Sequence, residues 1–144
     1  MTASSRFPVA THILVALHWN EGTLLSSEQL ANTVNTNPVV IRRVLGKLRE
    51  ARLVTTLSGA HGGSQLARRP SEITLLAVYQ AVEEASLFRF HCPDATCALG
   101  GVIEHTLMPI YAQAEEAMEH MLAGITLQQV SQDARVRAGL KMET

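Results

Sequence analysis

The 144-residue chain is 47% hydrophobic and 17% charged, apolar enough for a packed core and too apolar for a disordered chain. No stretch reaches the roughly 18 apolar residues of a membrane helix. Residues 1–8 lack the apolar run and cleavage site of a secretory signal, so a cytoplasmic chain with reduced thiols is expected. The net charge of −1 conceals a division. Residues 1–70 hold eight basic side chains against three acidic ones, a balance of +5; residues 71–144 hold four against ten, a balance of −6. A basic half joined to an acidic half suits a nucleic-acid reader with a separate partner-binding half, or chance clustering on a soluble surface.

Residues 6–19 carry Val9, Ile13, Ala16 and Leu17 at helical spacing and predict a first helix with those side chains inward. Gly22 breaks the pattern. Ser26 to Gln29 reads S-x-x-Q, a capping box in which hydroxyl and carboxamide satisfy orphan backbone donors. The second helix, SEQLANTV, turns Leu30, Ala31 and Val34 inward. A polar turn, Asn35-Thr36-Asn37, leads to Pro38. Asn37 suits a helix cap, and Pro38 suits the first helical position, where no N–H is needed. The third helix runs to about Ala51, with Val40 or Ile41, Val44, Leu45 and Leu48 inward and Arg42, Arg43, Lys47 and Arg49 outward. Residues 53–57 are β-prone, residues 58–64 form a glycine-rich turn, and residues 65–68 return as a second strand.

Thr74 caps a fourth helix, LLAVYQAVEE, and an irregular stretch from Leu87 to Cys97 follows, with Pro93 and Asp94 as turn formers. From about Ala98 to Ala123 the pattern is helical again. Ile103, Leu107, Ile110, Ala114, Ala117 and Met121 alternate steps of four and three, the seam of a helix that packs along another long helix. Pro109 lies inside that run and predicts a kink or break. Gly124 ends it, and Thr126 to Gln129 is a second capping box that opens a last helix to about Ala134, before a polar, mobile tail. The predicted fold is mainly α with a small β-hairpin wing: a winged helix-turn-helix plus a long C-terminal dimerisation helix. Its domains are a DNA-binding unit (1–85), a cysteine-containing loop (86–97), dimerisation helices (98–134) and a tail (135–144).

Seven of the twelve Lys and Arg residues fall between Arg42 and Arg69, opposed only by Glu50. Arg42 and Arg43 sit near the start of the third helix, where a recognition helix meets base edges and a guanidinium fork matches guanine. Val39 offers contact to a thymine methyl; Thr36, Asn37 and Lys47 offer polar groups to phosphates or neighbouring edges. Ser26 opens the second helix, where free N–H groups hold a phosphate, or serves only as the cap. Ser58, His61, Gly62 and Gly63, with Arg68 and Arg69 behind, form the wing that approaches the minor groove. The plainer readings are a solvated helix face and an ordinary hairpin turn.

Cys92 and Cys97 leave three readings open. They are a redox switch, a metal or cluster site with His91, Asp94 or His105 as partners within the chain or across a dimer, or packing residues with no chemistry. The third, helix-start reading would also lower the pKa of a Cys97 thiol. A thiol enzyme lacks a C-x-x-C on a βαβ unit and an oriented base. A winged-helix interaction module that has lost DNA binding is a further alternative, separated from a DNA reader by salt dependence.

Taken in order, LSSEQLANTVN, VIRRVLGKLREARLV, SGAHGGSQLAR, ITLLAVYQAVE, HCPDATCALGG and the terminal ITLQQV resemble the Rrf-two family of bacterial regulators, the IscR, NsrR and CymR type, over nearly the whole chain. The resemblance implies a transcriptional regulator, a repressor without catalysis, whose homodimer crosses its long helices and reads palindromic double-stranded DNA with two recognition helices and two wings. Many members have Gly where Arg52 stands and Tyr where Ser64 stands. Cluster-binding members carry three cysteines before the long helix; this chain has two, spaced C-x4-C, so the expectation is no cofactor, with an Fe–S cluster as the alternative.

Overall fold

The computed structural model describes residues 4–141. Its helices are α1 (Arg6–Trp19), α2 (Ser27–Val34), α3 (Pro38–Glu50), α4 (Leu75–Val82), α5 (Ile103–Ala123) and α6 (Leu127–Arg137). Strands β1 (Val54–Leu57) and β2 (Gly63–Leu66) pair antiparallel between α3 and α4, with Val54 opposite Leu66 and Leu57 opposite Gly63. Leu25, ahead of α2, exchanges backbone hydrogen bonds with Ser64 and fixes the hairpin to the helix-turn-helix.

Local chemistry sets the helix ends. Ser26 Oγ accepts from the Gln29 N–H while Gln29 Oε1 accepts from the Ser26 N–H. The same box recurs at Thr126 and Gln129. Asn37 Oδ1 accepts from the Val39 N–H at 2.8 Å, with Pro38 opening α3. Thr74 caps α4 through the Ala77 N–H. Helix α3 ends in a Schellman motif: the Leu53 N–H reaches the Leu48 carbonyl and the Arg52 N–H the Arg49 carbonyl, while both leucines are buried.

One core serves both ends of the chain. Ile13, Leu14, Leu30, Ile41, Leu48, Leu53, Val54, Ile73, Val78, Val82 and Leu127 are essentially inaccessible, and each such side chain contributes roughly 1.5–3 kcal/mol on burial. Helix α1 lies at the centre and is apolar on nearly every side, so the buried face is Ala10, Ile13, Leu14 and Leu17, with Val9 and Ala16 only half-buried. On α3 the inward residue is Ile41, and Val40 is exposed. Helix α6 returns to this core: the Leu127 N–H donates to the Ile73 carbonyl, the Leu75 N–H to that of Ile125, and the Trp19 indole N–H to Ser131 Oγ.

Three expectations change. The long helix starts at Ile103 rather than near Ala98, because residues 94–102 form successive turns in which Gly100 packs against the Asp94 carbonyl too closely for a side chain. Pro109 does not break α5, which runs continuously from Ile103 to Ala123 with the proline on an exposed face. The last helix runs on to Arg137. Four of the six predicted seam residues look outward: Ile110 and Met121 are 57% and 65% exposed, and Ala114 and Ala117 are also exposed. Ile103 and Leu107 instead join Tyr111, Met118 and Leu122 on the half-buried face toward the chain's own body. No described helix is long and apolar enough to cross a membrane.

Candidate nucleic-acid interface

Helix α3 and the hairpin enclose a cleft of about 520 Å³ whose walls include Ser26, Arg42, Gly46, Arg49, Thr56, Ser58, Gly59 and Gly62. Burial of Ile41, Val44, Leu45 and Leu48 forces the opposite side of α3 into solvent. That side presents Val39, Arg42, Arg43, Arg49 and Glu50, all exposed. Arg42, Gly46 and Arg49 stand at i, i+4 and i+7, one stripe facing the hairpin. Arg49 belongs to the cleft as much as Arg42 does. The seven-residue spacing was the available signal for it, although only the hairpin's position makes that stripe a wall.

The cations differ in their partners. Arg43 and Arg49 make no ion pair among the described residues. Arg42 Nη2 donates to Glu28 Oε1 at 2.5 Å, joining α3 to α2. Lys47 points the other way and pairs with Glu84, beyond the end of α4; Arg6 lies 3.9 Å from the same carboxylate. The Lys47 hydrogen bond, then the charges of Lys47 and Arg6, hold the Glu84 carboxyl below its ordinary value. Lys47 therefore braces α3 against α4 at the edge of the exposed face.

Other candidates divide similarly. Ser26 and Asn37 spend their side-chain oxygens on helix caps, and Thr36 is half-buried beside Asn37. At the hairpin tip His61 is exposed, and Gly62 takes a position where a Cβ would collide with the Leu57 carbonyl. Gly63 starts β2, and a Cβ there would press on the Leu25 carbonyl. Ser58 is exposed beside the tip. Arg68 follows β2 at the base of the hairpin and donates to the Glu72 carbonyl at 3.2 Å, so it stands behind the wing rather than at its tip. The arrangement offers exposed guanidinium groups, a hydroxyl-rich rim and closely approachable backbone, the groups that phosphates and base edges require.

The Rrf2 family profile, described as iron-dependent transcriptional regulator, matches residues 3–133. The chain belongs to the Rrf2 family. It is a DNA-binding transcriptional regulator with a winged helix. YwnA of Bacillus subtilis (strain 168), which carries the provisional name of an HTH-type transcriptional regulator, is 40% identical over 129 residues, covering 88% of this chain and 95% of YwnA. The HTH-type transcriptional regulator IscR of Aliivibrio salmonicida (strain LFI1238) is 28% identical over 139 residues, covering 95% and 80%. The structure of T. potens IscR, 22% identical, superposes with a TM-score of 0.71 over 99% of this chain and 94% of its own, and shares the fold.

The Rrf2 description implies iron, whose donors would come from the cysteine segment. Cys92 and Cys97 are both free and exposed, as are His91 and His105. Among the described residues of one chain, no three His, Cys, Asp or Glu side chains converge to hold a metal ion, whereas a cluster ordinarily takes four ligands. A single chain's donors do not fit an iron centre. Cys97 has a different environment. Backbone N–H groups of Gly100, then Leu99, face its sulfur and lower the thiol pKa. The turn is fixed by Asp94, whose carboxylate accepts from the Thr96 N–H at 2.9 Å and hydroxyl at 2.7 Å. Backbone donors after Cys97, rather than the end of α5, supply the thiolate stabilisation.

Proposed function

We propose that this Rrf2 regulator acts in the cytoplasm as a homodimeric repressor of a palindromic operator, with α3 in the major groove, the hairpin tip along the adjacent minor groove, and the state of Cys97 and Cys92 adjusting the dimer. The observation that carries the reading is the cleft between α3 and the wing, walled by Arg42 and Arg49 and flanked by the exposed Arg43. The exposed Ile110, Ala114, Ala117 and Met121 of α5 support a two-fold seam. Half-sites are then centred about one helical turn apart, roughly 34 Å. Backbone donors at Cys97 favour a reactive thiolate and support a thiol switch without a resident cluster.

The test begins with selection of duplexes from a random pool, followed by affinities over a salt series. A palindromic consensus, a steep fall in affinity with salt, and losses of about 1–3 kcal/mol for Arg42→Ala and for Arg43→Ala are expected. No enrichment, or unchanged affinity in both variants, removes the assignment. A colourless anaerobic preparation whose operator affinity changes with peroxide supports the thiol switch; a brown protein with iron near one cluster per chain overturns it.

A further inference from the structure

Two adjacent arginines open the exposed face of α3, and among the described residues only Arg42 has a carboxylate partner. The Arg42–Glu28 contact crosses between the two helices of the helix-turn-helix, residues 14 apart in sequence. Both side chains stay more than half exposed, at 57% and 61%, where an ion pair adds little to folding stability. The carboxylate is itself fixed. It lies in the first turn of α2, whose backbone N–H at Glu28, followed by Arg42, holds the carboxyl below its ordinary value. The Ser26 hydroxyl accepts from the Gln29 N–H and, through its own O–H, adds a smaller stabilisation of the Glu28 carboxylate.

We propose that Glu28 is the specificity-determining positioning residue of the interface, holding the Arg42 guanidinium for a base edge and withholding its charge from phosphate. The proposal deepens the operator-reading function above and rests on it. A guanidinium has five N–H donors, and the contact involves Nη2, so a forked edge remains for guanine O6 and N7. Holding the side chain beforehand reduces the rotamer freedom lost on binding. The neighbouring carboxylate repels phosphate and partly neutralises the arginine, which weakens attraction to DNA of any sequence more than it weakens a directed base contact. Arg43 has no such partner among the described residues and keeps its full charge for the duplex.

The experiment compares wild type, Glu28→Gln, Arg42→Ala and the double variant. Each is measured on a duplex selected by the wild-type chain and on a scrambled duplex of equal length and composition, across a salt series. Glu28→Gln is expected to bind the scrambled duplex several-fold tighter, steepen the salt dependence by about one unit of log–log slope, and reduce the selected-to-scrambled ratio about tenfold. In the Arg42→Ala background, adding Glu28→Gln should leave the ratio unchanged, because the effect passes through Arg42. An unaltered ratio in Glu28→Gln, or an equal drop without Arg42, overturns the proposal while leaving the DNA-binding reading intact. That reading fails separately if the wild-type chain itself shows no preference for the selected duplex.

Discussion

Arg52 stands where α3 gives way to β1, in left-handed backbone with φ of 58°. It is the residue of the Schellman motif that favours glycine, because a Cβ there crowds the backbone. Asn35, at φ 59° after α2, meets the same demand with a side chain that tolerates it better. Arg52→Gly is therefore expected to raise stability by about 0.5–1 kcal/mol, seen as a melting temperature a few degrees higher. An unchanged or lower value would mean that the arginine has interactions offsetting the strain. Much at this scale was legible in the sequence: both capping boxes, the Asn37-Pro38 helix start and the Thr74 cap are local grammar, written within four residues. The Arg42–Glu28 and Lys47–Glu84 pairs were not legible, since their partners are 14 and 37 positions apart and meet only once helices pack.

Helix α3 carries a glycine in its middle. A Cβ added at Gly46 meets nothing within 4 Å, so neither steric need nor positive φ accounts for it within the chain. Gly46→Ala is expected to stabilise the fold by about 1 kcal/mol through helix propensity. It should also weaken DNA binding, because the methyl group would occupy the stripe between Arg42 and Arg49 where the backbone comes closest to a ligand. Thermal unfolding and operator affinity, measured together, should move in opposite directions; equal or better affinity would take Gly46 out of the contact surface. Helix α1 shows the limit of periodicity. Its apolar residues surround it, and the buried face depends on α2, α3, α4 and α6 arriving on different sides. The start of α5 differs from the expectation for a local reason: Gly100, Gly101 and Val102 are poor helix formers, and the turn around Asp94 and Gly100 claims the segment.

Across the whole molecule, the charge division maps onto the architecture. The basic half supplies α3 and the wing, and acidic residues gather on the loop that follows α4 and on α5. Glu84 and Glu115 tie that loop to both parts: Glu84 pairs with Lys47, and Glu115 accepts from the Ser86 hydroxyl and the Leu87 N–H at 2.5 Å. Phe88 stacks on Tyr111 of α5 with ring centroids 4.4 Å apart. If the outer face of α5 is the seam between two copies, Ala117→Glu places like charges opposite each other across a two-fold axis. Sedimentation should then show a monomer of unchanged helix content with weak operator binding; an intact dimer would locate the seam elsewhere. The long helix and its apolar spacing were readable from sequence, whereas the division of that spacing between an inward and an outward face required the position of α4.

The paired backbone at Thr74 and Thr126 has a topological consequence. The chain leaves the neighbourhood of Ile73 and Leu127 at one point and rejoins it at the same point; α4 packs back on the core, and the cysteine loop and α5 beyond it form a loop on a clasp. The cysteine loop and the long helix can lengthen, shorten or change chemistry without altering the path of α3 and the wing. The final helix, closing the core with Leu127, makes the two ends of the polypeptide share one fate: an early truncation would remove the keystone as well as the arm.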